Sequence, residues 1–340
     1  MVILKKIVSR PGATLAPRMK GLAKYVALVA ACSLSVPVTV HGVDYPTKPV
    51  RIMVPFSAGG GTDLLARSIA QDLGEIWRQP VIVENRGGDG GKIGAAYAAK
   101  ATPDGYTILF GSPTVITVAP ALYQNLSYNP MKDLVPVIRI AFTPQVLLTH
   151  LSVPVKSVKE LVQMAKEKPG VMLSSNSGVG SVAYMAMALF ESTAKIKLNN
   201  IPYKGAGPAL AALLGGQVNA TFNIVNTTLP QYRAGKVNAL GISSLSRLDL
   251  MPKVPTIAES GYPGFETSTW YGLFVPTGTP DSVVRQVHRD MNQLLKTPMM
   301  HELLNSTGFV PVGSTPEQFR TRLKAELTTW RQLVQENNIK

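Results

Sequence analysis

Val50-Arg51-Ile52-Met53-Val54-Pro55 opens a pattern that recurs along the chain: a short β-branched run, a glycine-rich turn, then apolar residues at helical spacing. The run predicts a strand, and Thr62 to Leu73 a helix with Leu64, Leu65, Ile69 and Leu73 at helical intervals and Thr62 or Asp63 as its cap. Val81-Ile82-Val83 is the next strand, followed by the loop Gly87-Gly88-Asp89-Gly90-Gly91 and an alanine-rich helix to about Lys100. Tyr106 to Phe110 is a third strand. Strand, helix, strand at this spacing implies parallel pairing with right-handed crossovers.

The pattern restarts after Pro144. Val146 to Thr149 and Val171 to Ser174 predict strands, and Ser157 to Lys168 and Ser181 to about Thr193 predict helices. Further strands fit Asn200 to Tyr203, Val218 to Phe222 and Val237 to Ile242, with helices between them. Thr269 to Val275 is one more strand, and amphipathic helices near 280–296 and 315–336 finish the chain. The expectation is two α/β lobes, 44–143 plus 268–340 and 144–267.

Three loops share one physical logic. Phe56-Ser57-Ala58-Gly59-Gly60-Gly61-Thr62-Asp63, Gly111-Ser112-Pro113-Thr114 and Ser174-Ser175-Asn176-Ser177-Gly178-Val179-Gly180-Ser181 each follow a strand, at the carboxyl edge where open α/β sheets bind ligands. Glycine lets the backbone approach a ligand, helix-start N–H groups present partial positive charge, and Ser and Thr hydroxyls add donors. Such loops hold a small carboxylate without arginine. Singly, each is equally well a tight turn; three in corresponding places favour a site.

Charge alters the picture once the first 42 residues are set apart. They hold Lys5, Lys6, Arg10, Arg18, Lys20 and Lys24, no acid, and the apolar stretch Tyr25 to Val38 ahead of Val40-His41-Gly42. A basic start, a short apolar middle and small residues before the cleavage point describe a secretory signal peptide over 1–42. Met19 would begin a leader of ordinary length, as an alternative start to Met1. Val29-Ala30-Ala31-Cys32 resembles a lipoprotein box, but Lys24 lies inside the stretch that should be uncharged, which disfavours a lipid anchor at Cys32.

Cleavage after Gly42 removes all six of those cations and the one cysteine, so the formal charge of +14 overstates the basicity of the exported chain. The remaining Lys and Arg form no run and no aromatic interleaving, so no nucleic-acid partner is expected. The four histidines, 41, 150, 288 and 301, lack ligand spacing, so neither metal nor cofactor is expected.

Catalytic motifs fail in turn. Gly178-Val179-Gly180-Ser181-Val182-Ala183 fits a dinucleotide pattern, but no acid follows at the required distance. Gly91-Lys92 lacks the rest of a phosphate loop. Ser192-Thr193-Ala194-Lys195 matches SxxK without its companions, and GxSxG is absent. Asp63, Asp104, Asp133 and Glu84 fit caps, turns and ion pairs better than a carboxylate dyad. The expectation is a binding protein, not an enzyme; an exported α/β hydrolase is the alternative from another class.

Pro55 to Asp63 resembles the first ligand loop of the Bug-type periplasmic solute-binding proteins of tripartite tricarboxylate transporters. Val83-Glu84-Asn85-Arg86 with Gly90 to Ala95, Pro103 to Thr107, Pro202 to Gly205 with Leu214 to Val218, Val254 to Glu259, and Trp270 to Leu273 are similar to further blocks, in the family's order over about 45–290. The resemblance implies a two-lobed periplasmic-binding-protein (Venus-flytrap) fold, each lobe a mainly parallel sheet flanked by helices. It further implies a monomer that holds a small organic carboxylate (di-, tricarboxylate or aromatic acid) between the lobes and delivers it to membrane subunits. A ligand-loaded partner of a signalling receptor is the other output the family allows.

Pocket positions carried over are Phe56 to Asp63, Ser112, Thr114, Ser175, Asn176, Ser177, Gly178, Gly180, Ser181, Tyr203, Lys204 and Gly205. Ser57 and Ser177 are expected to donate side-chain bonds, Gly59 and Gly60 to provide clearance, and Phe56 and Tyr203 either to flank an apolar tail or simply to pack the cleft. After Thr221-Phe222 the family commonly carries aspartate; this chain has Asn223, which relaxes any demand for a ligand amine and admits a second carboxylate or an aromatic tail. Lobe closure is expected about 140–145 and 266–270.

Overall fold

Val50–Val54 forms β1, between β2 (Val81–Asn85) and β3 (Thr107–Gly111), both parallel to it. The computed structural model describes residues 45–59, 61–337 and 339; the leader 1–42 with Met19 and Cys32, and the loop residue Gly60, lie outside them. Ile52 and Val54 face a core shared with α1 (Gly61–Trp77) and α9 (Asp281–Leu294), while Met53 and Leu109 face α2 (Lys92–Ala99) and α11 (Pro316–Glu336). A strand covered on both faces needs a continuous apolar run, which explains why its pattern does not alternate.

Helix α1 runs past Leu73 to Trp77, whose indole donates to Asp290 on α9 over 2.8 Å. Its buried stripe is Leu65, Ala66, Ile69, Ala70 and Leu73; Leu64 falls off that stripe and is exposed. After β3 come a π-helical turn, Thr114–Val118, and the short helices α3 (Ala119–Leu122) and α4 (Pro130–Asp133), none of them expected from the pattern.

The largest departure is β4, Leu134–Thr149. Periodicity predicts only its last four residues, because Pro136 and Pro144 interrupt the run and proline argues against a central strand. The strand survives by pairing antiparallel with β9 (Ser268–Pro276), with register shifts between Pro136 and Ile138 and between Arg139 and Ala141. Beyond Pro144 it pairs antiparallel with β7 (Ala220–Ile224) and β8 (Asn238–Ile242). One strand thus crosses from the first sheet into the second.

The second sheet contains β5 (Leu173–Asn176) between β6 (Asn199–Pro202) and β7, both parallel to it. Helices α5 (Val158–Glu167), α6 (Val182–Ala194), α7 (Ala206–Leu214) and α8 (Val225–Arg233) flank it. Both sheets are therefore mixed: the helix-connected strands run parallel, and the antiparallel pairs come from β4, β8, β9 and β10 (Val310–Pro311). A further helix, α10 (Pro298–Ser306), precedes β10 and buries Met300 and Leu304. Among the described residues no helix is long and apolar enough to cross a membrane.

Candidate functional site

The first loop connects β1 to α1, and its shape is set from within. Asp63, only 2% exposed, accepts the Gly59 N–H at 2.9 Å, Arg67 Nε at 3.0 Å and Asn85 Nδ2 at 2.9 Å. Burial pushes this carboxyl up, and the Arg67, Gly59 and Asn85 donors more than reverse it, holding its pKa below the ordinary carboxylate value. The acid organises the loop rather than facing a ligand. Ser57, Ala58, Gly59 and Gly61 remain exposed at the surface of the loop, and Phe56 and Thr62 are half-buried.

The glycines after β2 support this loop from below. A Cβ on Gly87 would lie 3.2 Å from Ser57 Oγ, one on Gly91 3.0 Å from Phe56 Cε1, and one on Gly94 2.5 Å from Arg86 O and 2.8 Å from Pro55 Cα. Close approach explains these three glycines. Phe56 accordingly packs on the core of the first sheet. The neighbouring cations are engaged: Arg67 with Asp63, Arg86 with Glu84 at 2.7 Å and over the Tyr97 ring, and Lys92 with Asp89 at 2.9 Å and over the Tyr123 ring.

At the end of β3, Ser112 is 3% exposed and its hydroxyl has no partner; Thr114, half-buried, begins the π-helical turn. In the second sheet Asn176 ends β5, fully buried, accepting the Gly178 N–H through Oδ1 at 3.0 Å and leaving Nδ2 without a partner. Asn223, on β7 and 4% exposed, accepts from Ile224 N at 3.0 Å and Thr227 Oγ1 at 3.2 Å, again leaving Nδ2 free. Gly178 and Gly180 have φ of +109° and +80°, which turns the loop back toward the helix start.

Other predicted residues are occupied. Ser175 Oγ donates to Ala209 O at 2.9 Å, and Ser181 Oγ caps α6 by accepting from Tyr184 N at 3.2 Å. Ser177 is half-buried beside them. Tyr203 donates its N–H to Asn176 O at 2.9 Å and packs against the second sheet's core; Lys204 is exposed, and Gly205, at φ +114°, precedes α7.

The two sheets' loops meet at two points. Gly180 approaches α3, where a Cβ would lie 3.2 Å from Leu122 Cδ1, and Gly61 approaches α8, where a Cβ would lie 3.5 Å from Asn226 Nδ2. Asn226 was not singled out from the sequence. Its signal is its place in the first turn of a helix that follows the carboxyl end of a strand; its Oδ1 is buried without a donor. A surface hollow of about 720 Å³ lined by Lys48, Arg51, Tyr97 and Tyr106 lies away from these loops, and its Lys48 and Arg51 are paired with Asp104 and Glu84.

The groups at these strand ends are hydroxyl and amide donors with the N–H groups of helix starts, the kind of donor set suited to an anion without a fixed cation. Among the described residues the histidines are engaged locally: His150 with Ser152, His288 with Ser314 O, His301 with Asn305.

The defining pattern of the tripartite tricarboxylate transporter family receptor matches residues 65–339. BugT of Bordetella pertussis is 36% identical over 313 residues, 92% of this chain and 95% of BugT. The solved R. palustris protein Rpa4515, with adipate, is 33% identical with a TM-score of 0.78, covering 87% of this chain and 99% of that one. MatC from Rhodopseudomonas palustris, with bound malate, is 32% identical with a TM-score of 0.75, covering 85% and 100%. The α/β arrangement is that of periplasmic binding proteins. With its pattern matched over most of its length and its fold shared, the chain belongs to the tripartite tricarboxylate transporter receptor family, the Bug-type periplasmic solute-binding proteins, which bind solutes rather than transform them.

Proposed function

We propose that the protein is exported by its 1–42 leader, captures a small organic carboxylate between lobes 44–143 plus 268–340 and 144–267, and delivers it to the membrane subunits of a tripartite transporter. The observation that carries this reading is the trio of buried, unpartnered donors at strand ends, Ser112 Oγ, Asn176 Nδ2 and Asn223 Nδ2. Buried polar groups are nearly always paired, and carboxylate oxygens supply the acceptors these three lack. Adipate with Rpa4515 and malate with MatC support the ligand class. An amide rather than an acid at Asn223 favours a ligand with a second carboxylate.

Closure acts about the paired segments of β4 and β9, where Phe142 faces Trp270 and Pro144 faces Ser268. Ligand contacts from both sides stabilise the closed arrangement. The test is thermal unfolding of the purified protein with dicarboxylates, tricarboxylates, aromatic acids and acidic amino acids. A ligand at about a thousand times its dissociation constant adds roughly 4 kcal/mol, a shift of several degrees. No shift with any class, together with no organic acid released on denaturation as read by mass spectrometry, overturns the proposal.

A further inference from the structure

Helix α6 is apolar on two faces. Ala183, Ala186, Met187 and Phe190 pack into the core of the second sheet, and Met185, outside that core, is fully buried as well. A helix with apolar residues all round needs a partner on each side. The second partner comes from elements that pack on the first sheet: Met185 shares a buried cluster with Val118 of the π-helical turn and with Trp330 and Leu333 of α11.

Helix α11 is accordingly divided along its length. Phe319 and Leu323 sit in the core of the first sheet, and Trp330, about two turns further on, meets α6. The helix is tied to the second half of the molecule again where Arg322 Nη2 donates to Glu266 Oε1 at 2.9 Å, just ahead of β9. A hollow of about 350 Å³ lined by Leu189, Glu266, Arg322 and Trp330 shows that these surfaces touch without merging into one solid core. At its other end the seam reaches a ligand loop. Leu122 packs on the same cluster, and a Cβ on Gly180 would lie 3.2 Å from its Cδ1. A contact that extends to Gly180 is broken when the loops of the two sheets separate.

We infer that the last turns of α11 are a strap across the lobes, and that Trp330, Leu333 and Met185 are positioning residues for ligand capture. None of them belongs to the loops proposed to hold the ligand, yet their apolar contact stabilises the closed arrangement before and after a ligand enters. Opening exposes this contact to water, so the strap and the ligand draw on the same equilibrium. The inference rests on the lobe closure proposed above. Small-angle scattering of the purified, ligand-free protein tests it directly: Met185→Ala and Trp330→Ala, altered on opposite sides of the seam, should each enlarge the radius of gyration. Leu323→Ala, altered in the half of α11 anchored to the first sheet, should lower stability and leave the radius unchanged.

Stopped-flow binding of malate, adipate and citrate reads the consequence for capture. Each seam variant should release the bound acid about tenfold faster or more, with little change in association, and the double variant should lose less than the two losses combined. Misfolding lowers the fraction of binding-competent protein instead of speeding release, and Leu333→Ala reads the seam without touching the indole bond of Trp330 to Glu326. Radii equal to that of the unaltered protein in all three seam variants, or faster release by Leu323→Ala to the same extent, overturn the strap. Scattering needs no ligand, so failure of these acids to bind counts against carboxylate capture and leaves the strap to be decided by the radii.

Discussion

Asn85 Nδ2 donates to Asp63 Oδ1 over 2.9 Å, and the same amide reaches Phe56 O at 3.2 Å, so the end of β2 clamps both ends of the loop joining β1 to α1. Asp63 completes the clamp by accepting the Gly59 N–H and Arg67. The loop is preorganised by an acid that points inward, which leaves its outer surface free for the ligand proposed above.

Replacing that acid should loosen the loop. Asp63→Ala leaves the Asn85 and Gly59 donors without their acceptor, a loss of roughly 1–3 kcal/mol, and weakens ligand binding with it. Because the folded pKa is depressed, the acid's contribution is complete above the ordinary carboxylate range and is lost as pH falls through the lower folded value. Melting curves of the two proteins should therefore converge in acid; a gap unchanged from pH 7 to pH 2–3 would contradict this role.

Ser112 and Ser175 should behave oppositely. Ser112→Ala removes a buried hydroxyl that has no partner, so stability should hold or rise slightly while carboxylate affinity falls. Ser175→Ala removes a bond to Ala209 O and should cost about 1 kcal/mol of stability. Urea denaturation and calorimetry on both variants read the two effects separately. A stability loss at Ser112 matching that at Ser175 would place the Ser112 hydroxyl in the scaffold.

Glu326 is a buried carboxylate on α11 that accepts from Trp270 Nε1 at 2.7 Å, Trp330 Nε1 at 3.1 Å and Thr117 Oγ1 at 3.1 Å. Burial raises its pKa, against the opposing pull of the two indoles and Arg322. A raised folded pKa means that stability from this group is present at low pH and lost as pH rises through the folded value. Glu326→Leu strands three donors and should cost about 3 kcal/mol or more, seen as a lower urea midpoint. An unchanged midpoint would mean that the indoles find other acceptors.

Gly94→Ala probes the support beneath the first loop. The added methyl meets backbone, Arg86 O at 2.5 Å and Pro55 Cα at 2.8 Å, and backbone cannot swing aside. Overpacking of this kind costs about 1–3 kcal/mol, and displacement of Pro55 should weaken ligand binding as well. A variant with unaltered melting temperature and affinity would show that α2 shifts freely.

Local pattern made much of this legible. Runs such as Val50 to Val54 and caps such as Ser157 and Ser181 signal their elements through nearest neighbours alone, and the glycine loops after β1 and β5 declare a strand-to-helix turn. What escaped were features resolved by distant partners. Leu134 to Thr143 became strand because β9 pairs with it despite Pro136, and α10 is a nine-residue helix whose Met300 and Leu304 find their core only after the chain returns.

The same division runs through the site. The amino-acid sequence by itself determined which loops follow parallel strands and which residue types they present, since β-branched runs, glycines and hydroxyl residues act over a few positions. Only the tertiary structure decided which polar atoms remain free: Asp63, Ser175 and Ser181 are engaged, whereas Ser112, Asn176, Asn223 and Asn226 each keep a buried atom unpaired. A residue's chemistry is local, but whether its hydrogen bonds are already made depends on groups that folding brings from elsewhere in the chain, as Asn85 is brought to Asp63 and Ala209 to Ser175.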